Sequence, residues 1–284
     1  MSAPATLKFS LVLSTVGRVD EIARLLPTIA AQTYSNWELI VVDQSNDTRL
    51  SALLDEFSKS HAVARIKTGR GLTRARNAGM ALATGDVIAF PDDDCVYALD
   101  LLERVARYLS SHAQCDGVCG RPLNDGYFDR KSGPISRYNA WTRGIEYAYF
   151  LRREMVARAG TFDESHGLGT TNGWWGGDGT DYLLGALEQG CRLDYDASLI
   201  VEHPGPMKSE ASDLESRSRR AYHYALGRGR VLRKRHLPFW FKGYQCLRPI
   251  GGAFISTLLA RRDQARIYLS VLRGLLRGIK GFSQ

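Results

Sequence analysis

Short apolar runs alternate with stretches of helical spacing along the first third of this 284-residue chain. Such runs are typical of buried strands, and apolar residues three or four positions apart indicate a helix that faces a core. The run Trp37–Asp43 shows the first pattern, and Ile22–Ile29 shows the second. Together they predict strands at 8–15, 37–43, 62–67 and 87–90, separated by helices at 20–31, 48–60 and 73–83.

The pattern beyond residue 98 is less regular. It predicts helices at 99–110, 152–159 and 180–189, strands at 117–121, 147–151 and 198–203, and an irregular polar segment at 124–144. Because strands alternate with helices, we expect an α/β fold with a mostly parallel, Rossmann-like sheet flanked by helices. Sheets of this kind bind ligands at the carboxyl ends of their strands, so polar residues at strand ends are site candidates.

The net charge of +8 is distributed unevenly. Residues 1–203 carry 21 Lys and Arg against 26 Asp and Glu, whereas residues 204–284 carry 17 against 4. We therefore predict a main domain at 1–203 and a basic helical C-terminal extension at 204–284. A basic segment indicates an anionic partner, which is a lipid surface, a nucleic acid or an acidic substrate.

The basic extension has the pattern of an amphipathic helix at a membrane surface. An aromatic cluster at 238–241 precedes apolar residues at helical spacing, namely Ala265, Tyr268, Leu269, Leu272, Leu275, Leu276 and Ile279. We expect this extension to contact an anionic membrane surface. The alternative is a helix docked on the main domain with a solvated basic face. Nucleic acid is not an expected partner, because no recognised binding motif accompanies the charge.

Two further segments bear on location. Residues Met1–Phe9 lack the basic-then-apolar form of a signal peptide. The longest apolar run near the C-terminus, 249–260, is too short to span a bilayer. We therefore expect a cytoplasmic protein, associated peripherally with the inner face of the membrane.

The densest candidate chemistry follows the apolar run Val87–Phe90, where Asp92, Asp93 and Asp94 stand side by side. Three like charges at the end of a buried strand repel one another, so they need a positive partner. Oxygen ligands at this density suit Mg²⁺ or Mn²⁺, which are usually held by one or two carboxylates together with substrate phosphates. The alternative is a solvated acidic turn that caps the helix beginning near Leu99.

Several other motifs occur in a fixed order around this cluster. Together they resemble family 2 glycosyltransferases of the GT-A fold, over about Ser10 to Pro204. The matching pieces are Ser14-Thr15-Val16-Gly17-Arg18, Val41-Val42-Asp43-Gln44-Ser45, Arg76-Asn77-Ala78-Gly79, Phe90-Pro91-Asp92-Asp93-Asp94 and Gly160-Thr161-Phe162-Asp163-Glu164.

The resemblance implies inverting, metal-dependent transfer of a sugar from a nucleotide-diphosphate sugar to a glycan or lipid-linked acceptor. Asp92 and Asp94 look like the outer members of the family's DXD motif, which binds a divalent metal, Mn²⁺ or Mg²⁺. His203 matches a position where some members supply a further metal ligand. The expected donor-binding residues are Thr15, Gly17, Arg18, Asp43, Arg76, Asn77, Asp92 and Asp93. Residues 1–97 would form the nucleotide-sugar half of the catalytic domain and 98–203 the acceptor half.

The glycine-rich segment 167–179 supplies the expected acceptor side. Asp178 stands where relatives usually carry Glu as the general base, and Asp181 competes with it for that role. Trp174 and Trp175 are expected to stack on an acceptor sugar, although they also suit a role as core anchors.

Two alternatives from other classes remain at this point. One is a sugar-phosphate nucleotidyltransferase on a related sheet, although the turn Thr15-Val16-Gly17-Arg18 lacks the Gly-rich loop of that class. The other is a non-catalytic protein that binds anionic lipid through its basic extension. That alternative leaves the three adjacent carboxylates without a role.

Overall fold

A computed structural model describes residues 6–123, 126–203 and 213–281. Within these ranges nine strands form one sheet. The strands are Phe9–Thr15 (β1), Trp37–Asp43 (β2), Val63–Lys67 (β3), Val87–Ala89 (β4), Val96–Tyr97 (β5), Gly117–Pro122 (β6), Gly133–Pro134 (β7), Tyr149–Arg152 (β8) and Leu193–Glu202 (β9). The described helices are Val19–Ala30 (α1), Ser51–Ser58 (α2), Leu72–Leu82 (α3), Leu101–Ser111 (α4), Ala140–Arg143 (α5), Arg153–Ala159 (α6), Asp178–Glu188 (α7), Leu214–Lys234 (α8), Phe239–Leu258 (α9) and Arg262–Lys280 (α10).

The sheet order is β3-β2-β1-β4-β8-β6-β9-β5, and β7 pairs with β9 beside this path. Strands β3, β2, β1 and β4 run parallel to one another, as the alternation of strands and helices predicts. Strand β8 is antiparallel to both β4 and β6, whereas β9 is parallel to β6. Strand β5 closes the edge antiparallel to β9. The α/β fold is therefore confirmed, with a parallel first half and a mixed second half.

The chain divides into two compact units. The first unit comprises residues 1–162 and 182–205, and the second comprises 163–181 and 206–284. The division falls inside α7, between Asp181 and Tyr182. This grouping differs from the predicted boundary at 203, because the glycine-rich segment joins the C-terminal helices. The functional division into 1–97, 98–203 and 204–284 stays a prediction, and residues 204–212 and 282–284 lie outside the described ranges.

The core of the first unit lies between the sheet and the amphipathic helices α1 and α4. Helix α1 buries Ile22, Leu25, Leu26 and Ile29, the residues whose spacing predicted it. The side chains from β1 and β2 that meet them are fully buried, among them Leu11, Leu13 and Leu39. This packing holds the carboxyl ends of β1, β2 and β4 in fixed register.

The second unit contains the three long C-terminal helices α8, α9 and α10. Helix α10 approaches α8 closely at two glycines, because a side chain on Gly274 would collide with the Tyr222 carbonyl and one on Gly278 with the Leu226 carbonyl. Leu275, between these glycines, is buried. Part of the apolar stripe predicted on 265–279 therefore packs against α8. Across the described residues we find no helix whose length and hydropathy would let it cross a membrane.

A partly buried polar clasp around Glu38 joins the start of β1, β2 and the segment that follows α3 in the first unit. The Glu38 carboxylate accepts hydrogen bonds from Lys8 Nζ at 2.7 Å, Ser10 Oγ at 2.6 Å and the Thr84 backbone N–H at 2.7 Å. Burial acts to raise the Glu38 pKa, but these donors outweigh burial and lower the pKa from 4.5 to about 2. The ionised carboxylate therefore stabilises the folded unit.

We expect Glu38→Gln to lower the free energy of unfolding by about 1–2 kcal/mol at pH 7. One unit of pKa corresponds to about 1.4 kcal/mol, and the figure is discounted because solvent reaches the pair with Lys8. Because the folded pKa is below the unfolded one, this stability is present above about pH 5 and is lost as pH falls toward 2. Urea unfolding at pH 7 and pH 4 measures the difference between wild type and variant.

The control is Glu56→Gln, which breaks an exposed pair with Lys59. This variant should change stability by less than about 0.5 kcal/mol. A Glu38→Gln effect as small as the control's would show that the clasp contributes nothing.

Candidate active site

The carboxyl ends of three adjacent strands meet at the acidic cluster. The β1–β2 register pairs Thr15 with Asp43, and an isolated parallel bridge joins Ser14 to Asp92. Val87, Ile88 and Ala89 of β4 are buried, so the chain emerges at the cluster directly from the core. The convergence of strand ends expected for a parallel sheet is thus present here.

The middle carboxylate, Asp93, is held by the first turn of the chain. It accepts a hydrogen bond from Thr15 Oγ1 at 2.8 Å, and Arg18 Nη1 lies 2.9 Å from its other oxygen. The second guanidinium nitrogen of Arg18 donates to Asp94 Oδ2 at 2.8 Å. Gly17 has a φ of +64°, a left-handed conformation that favours glycine in the turn before Arg18. Burial raises the Asp93 pKa to about 6 despite these two partners.

Asp94 lies beside His203, which follows β9. The β5–β9 pairing of Val96 with Glu202 brings His203 to the acidic cluster, although 108 residues of sequence separate Asp94 from Glu202. His203 Nε2 is 3.0 Å from Asp94 Oδ1 and 3.9 Å from Asp92 Oδ2. Asp94 raises the His203 pKa, and the His203 ring stacks on Tyr147 at a centroid distance of 4.7 Å.

The outer carboxylates differ in their environment. Burial raises the Asp92 pKa, and Arg76 Nη2, at 3.4 Å from Asp92 Oδ1, partly opposes this. Burial acts in the same direction on Asp94, but His203 and Arg18 outweigh it and hold the Asp94 pKa below its ordinary value. Three basic side chains from separate parts of the chain, Arg18, Arg76 and His203, therefore face the three carboxylates.

The acidic cluster suits a hard divalent cation whose remaining ligands would be oxygen atoms of the substrate. Asp94 Oδ1 is buried, and the ring nitrogen Nε2 of His203 lies within hydrogen-bond distance of it. Its 3.0 Å separation from His203 Nε2 matches the spacing of about 3 Å between adjacent ligands of an octahedral ion bound at about 2.1 Å. Among the described residues, no group of three or more His, Cys, Asp or Glu side chains forms a metal site by itself. An ion of the Mg²⁺ type is usually held by one or two carboxylates together with substrate phosphate oxygens.

The remaining predicted donor residues surround this cluster in the first unit. Asp43 accepts a hydrogen bond from the Ser45 N–H at 2.8 Å and pairs with Lys67 Nζ at 3.0 Å. The side chain of Asn77 binds the backbone of Phe162. Its amide nitrogen donates to the Phe162 carbonyl at 3.0 Å, and its amide oxygen accepts from the Phe162 N–H at 2.8 Å. The donor roles of Asp43 and Asn77 stay predictions, and the contacts show that each also orders a loop.

The glycine-rich segment of the second unit is held by α8. His223 Nδ1 lies 3.0 Å from the Gly173 carbonyl oxygen, and its ring stacks on Trp175 at 4.5 Å. The Arg230 guanidinium lies over the Trp174 ring at 4.3 Å. Both tryptophans are half-buried. Residues of α8 cover one face of each ring. The contact of both rings with an acceptor sugar stays a prediction.

The two candidate bases, Asp178 and Asp181, both lie in the first turn of α7. Asp181 is 2% exposed and bridges Lys234 Nζ at 2.6 Å and Arg235 Nε at 2.5 Å. Lys234 also contacts Asp163, which pairs with Arg230 at 2.7 Å. Asp178 begins α7 and is 7% exposed. Asp181 is therefore part of an ion-pair network that ties the segment to α8.

Sequence reasoning missed several supporting residues. Tyr147, which stacks on His203, belongs to an apolar run that the pattern assigned to a strand. His166 is fully buried, with Nε2 2.9 Å from the Gly176 carbonyl oxygen, and burial lowers its pKa to about 4. Arg230 lies in a basic run that resembled a solvated face. No spacing in the sequence connects these residues to the site.

Comparison with known proteins agrees with this geometry. The sequence model of the family described as "Glycosyl transferase family 2" matches residues 10–168. A "PGL/p-HBAD biosynthesis glycosyltransferase" of Mycobacterium bovis is 31% identical over 124 residues, which are 42% of this chain and 47% of that protein. The chain spans about half or less of the length of the curated relatives it matches.

Two solved structures share the fold. The mannosyltransferase PcManGT from Pyrobaculum calidifontis, in complex with GDP-Man and Mn²⁺, is 18% identical with a TM-score of 0.69, covering 98% of this chain and 89% of that one. TarS 1–349 of S. aureus, in complex with UDP-GlcNAc, is 15% identical with a TM-score of 0.59, covering 94% and 92%. These likenesses confirm the expected GT-A fold. Since the family model covers more than half of its residues, the chain belongs to glycosyl transferase family 2.

Proposed function

We propose that this protein transfers a sugar from a nucleoside diphosphate sugar to a hydroxyl group of a glycan or lipid-linked acceptor, with inversion and with a divalent cation. The observation that carries the proposal is the pairing of the buried Asp94 Oδ1 with His203 Nε2 at 3.0 Å, beside Asp92 and Asp93 at the carboxyl ends of the parallel strands. Family 2 membership favours this reaction over nucleotidyl transfer.

The first unit binds the donor. Asp94 and His203, with Asp92 beside them, would hold the cation together with the donor phosphate oxygens, and the cation would supply positive charge that stabilises the leaving diphosphate. Arg18 keeps Asp93 and Asp94 in place through its two nitrogens. One of the two structural neighbours is in complex with GDP-Man and Mn²⁺ and the other with UDP-GlcNAc, which supports a nucleotide-sugar donor here.

Inversion requires a single displacement and one base. The acceptor oxygen forms a bond to the anomeric carbon, while the bond from that carbon to the diphosphate oxygen breaks. The hydroxyl proton goes to a carboxylate within hydrogen-bond reach. We assign this role to Asp178, because it begins α7 at the end of the glycine-rich segment, where the resembled family usually carries its acidic base, and Asp181 remains the competing candidate.

The acceptor is proposed to meet the glycine-rich segment. Trp174 and Trp175 are each covered on one ring face by α8, and aromatic faces suit the apolar faces of sugars. A relative whose name refers to PGL/p-HBAD biosynthesis supports a glycan or lipid-linked acceptor class.

We expect Asp94→Asn to weaken the Mn²⁺-dependent binding of UDP or GDP at least tenfold. The substitution removes the anionic charge from the buried oxygen, and even outer-shell partners of metal sites contribute about 10–100-fold. The measurement is isothermal titration of each nucleotide with Mn²⁺ and again with excess chelator.

The matched control is Asp100→Asn, which makes the same charge change at an exposed carboxylate that forms no side-chain cap bond to α4. Nucleotide affinity should be unchanged in this control. Full nucleotide affinity of the wild-type protein in excess chelator would contradict the metal assignment.

We expect Asp178→Asn to lower kcat by about 10²–10⁴-fold, the usual contribution of a general base, with little change in nucleotide affinity. The assay is release of UDP or GDP from UDP-GlcNAc or GDP-Man, with a panel of simple glycosides as acceptors.

Asp181→Asn serves as the comparison. This variant should lower the free energy of unfolding by about 2–3 kcal/mol. The loss is smaller than that for breaking a fully buried ion pair, because Lys234 is partly exposed. If Asp181→Asn abolishes turnover without loss of stability while Asp178→Asn stays active, the base is Asp181.

A further inference from the structure

Helix α9 carries its apolar residues on the face that its own unit leaves exposed. Trp240 is 60% exposed, Phe254 is 64% and Leu258 is 70%. The buried face contains Gln245, Pro249, Ala253 and Ser256 beside one aromatic residue, Phe241. A helix that faces only water and its own core has the opposite arrangement.

The exposed residues follow one line along the helix. Their spacing of three, four or seven positions places them on one side of α9, which we name the α9 apolar face and define by Phe239, Trp240, Tyr244, Leu247, Phe254 and Leu258. Of the two charged residues of α9, Lys242 falls off this line, and Arg248, four positions after Tyr244, lies at its edge. At about 1.5 Å per residue the helix is about 30 Å long, so the face is a continuous uncharged strip.

The polar contacts of the opposite face fix this orientation. Buried Gln245 accepts a hydrogen bond from Arg228 Nη2 of α8 at 3.3 Å. Gly252 lies so close to Tyr268 of α10 that an added Cβ would be 2.7 Å from the ring. The helix therefore cannot turn its apolar face inward without losing these contacts. A contiguous exposed apolar patch of this kind marks a binding surface.

The charge around the face indicates its partner. The described part of the C-terminal segment, 213–281, contains 16 Lys and Arg against 3 Asp and Glu. Where α9 ends, an open pocket of about 440 Å³ is lined by Arg217, Arg261 and Arg262, together with one acid, Asp263. Exposed Leu258 and Leu259 precede these arginines in sequence. Apolar side chains next to guanidinium groups match acyl chains next to phosphates.

We propose that the α9 apolar face lies in the interfacial layer of an anionic phospholipid bilayer, with Arg217, Arg261 and Arg262 at the lipid phosphates. Trp240 and Tyr244 suit that layer, because their rings are apolar and their polar atoms reach water. A second copy of this chain is disfavoured as the occupant, because two strongly basic surfaces would repel each other. The sequence pattern pointed to the aromatic cluster at 238–241, which opens α9, and to the apolar stripe of α10, whereas the surface proposed here extends along α9. The proposal goes beyond the proposed function and does not depend on it.

The test is sedimentation of the full-length protein with vesicles of phosphatidylcholine alone and of phosphatidylcholine with phosphatidylglycerol. We expect binding to the anionic vesicles at 0.1 M salt and weaker binding at 1 M, because the screening length falls from about 10 Å to about 3 Å. The apolar variant, Leu247→Gln with Phe254→Gln and Leu258→Gln, should bind anionic vesicles at least tenfold less. Its control replaces exposed apolar residues elsewhere, Leu82→Gln with Leu99→Gln and Tyr138→Gln, and should bind as wild type does.

The charge variant, Arg217→Gln with Arg261→Gln and Arg262→Gln, should lose most of its preference for anionic over neutral vesicles. Its control removes three exposed basic residues of the first unit, Arg24, Lys59 and Arg107, and should keep that preference. Circular dichroism verifies that each variant is folded. Wild-type protein that stays in the supernatant with anionic vesicles at 0.1 M salt would overturn the proposal. So would a dimer in light scattering that the apolar variant abolishes, since the face would then be a contact between copies.

Discussion

Mutual repulsion among Asp92, Asp93 and Asp94 is the constraint around which the first unit is arranged. The three carboxylates follow a buried strand, so water cannot fully screen them, and burial raises the pKa of Asp92 and Asp93. The turn after β1, helix α3 and the end of β9 each bring one basic side chain to the cluster. The sheet order matters because it places these distant segments at one edge. A divalent cation with donor phosphates completes the same compensation in the proposed reaction.

The glycine-rich segment presents a second constraint, which is conformational entropy. Glycines lose more backbone freedom on ordering than other residues, so such a segment needs strong contacts to hold one shape. Helix α8 supplies these contacts through His223, Arg230 and Lys234. Part of the positive charge that the sequence pattern assigned to an anionic partner therefore forms contacts inside the second unit. The C-terminal helices are part of the structure that orders the proposed acceptor segment.

The first half of the fold follows from the sequence because its signals are local. Strand β2 matches its predicted bounds, and α1 shifts by one residue. The two-residue strands β5 and β7 were missed, since two residues carry no period, and β9 begins at Leu193 instead of 198. Residue propensities and apolar spacing in the sequence also could not show that Asp181 forms ion pairs with Lys234 and Arg235, or that α9 exposes its apolar side. Both outcomes depend on which element packs against which, and that information is absent from any single window of sequence.

The central claim is that Asp94 and His203 hold a divalent cation together with the diphosphate of the donor. Anomalous diffraction at the manganese edge, from crystals grown with Mn²⁺ and UDP or GDP, tests this claim most directly. The account predicts a manganese peak between the Asp94 carboxylate and the nucleotide phosphates, with His203 beside it. Nucleotide bound at the strand ends with no manganese at the acidic cluster would contradict it.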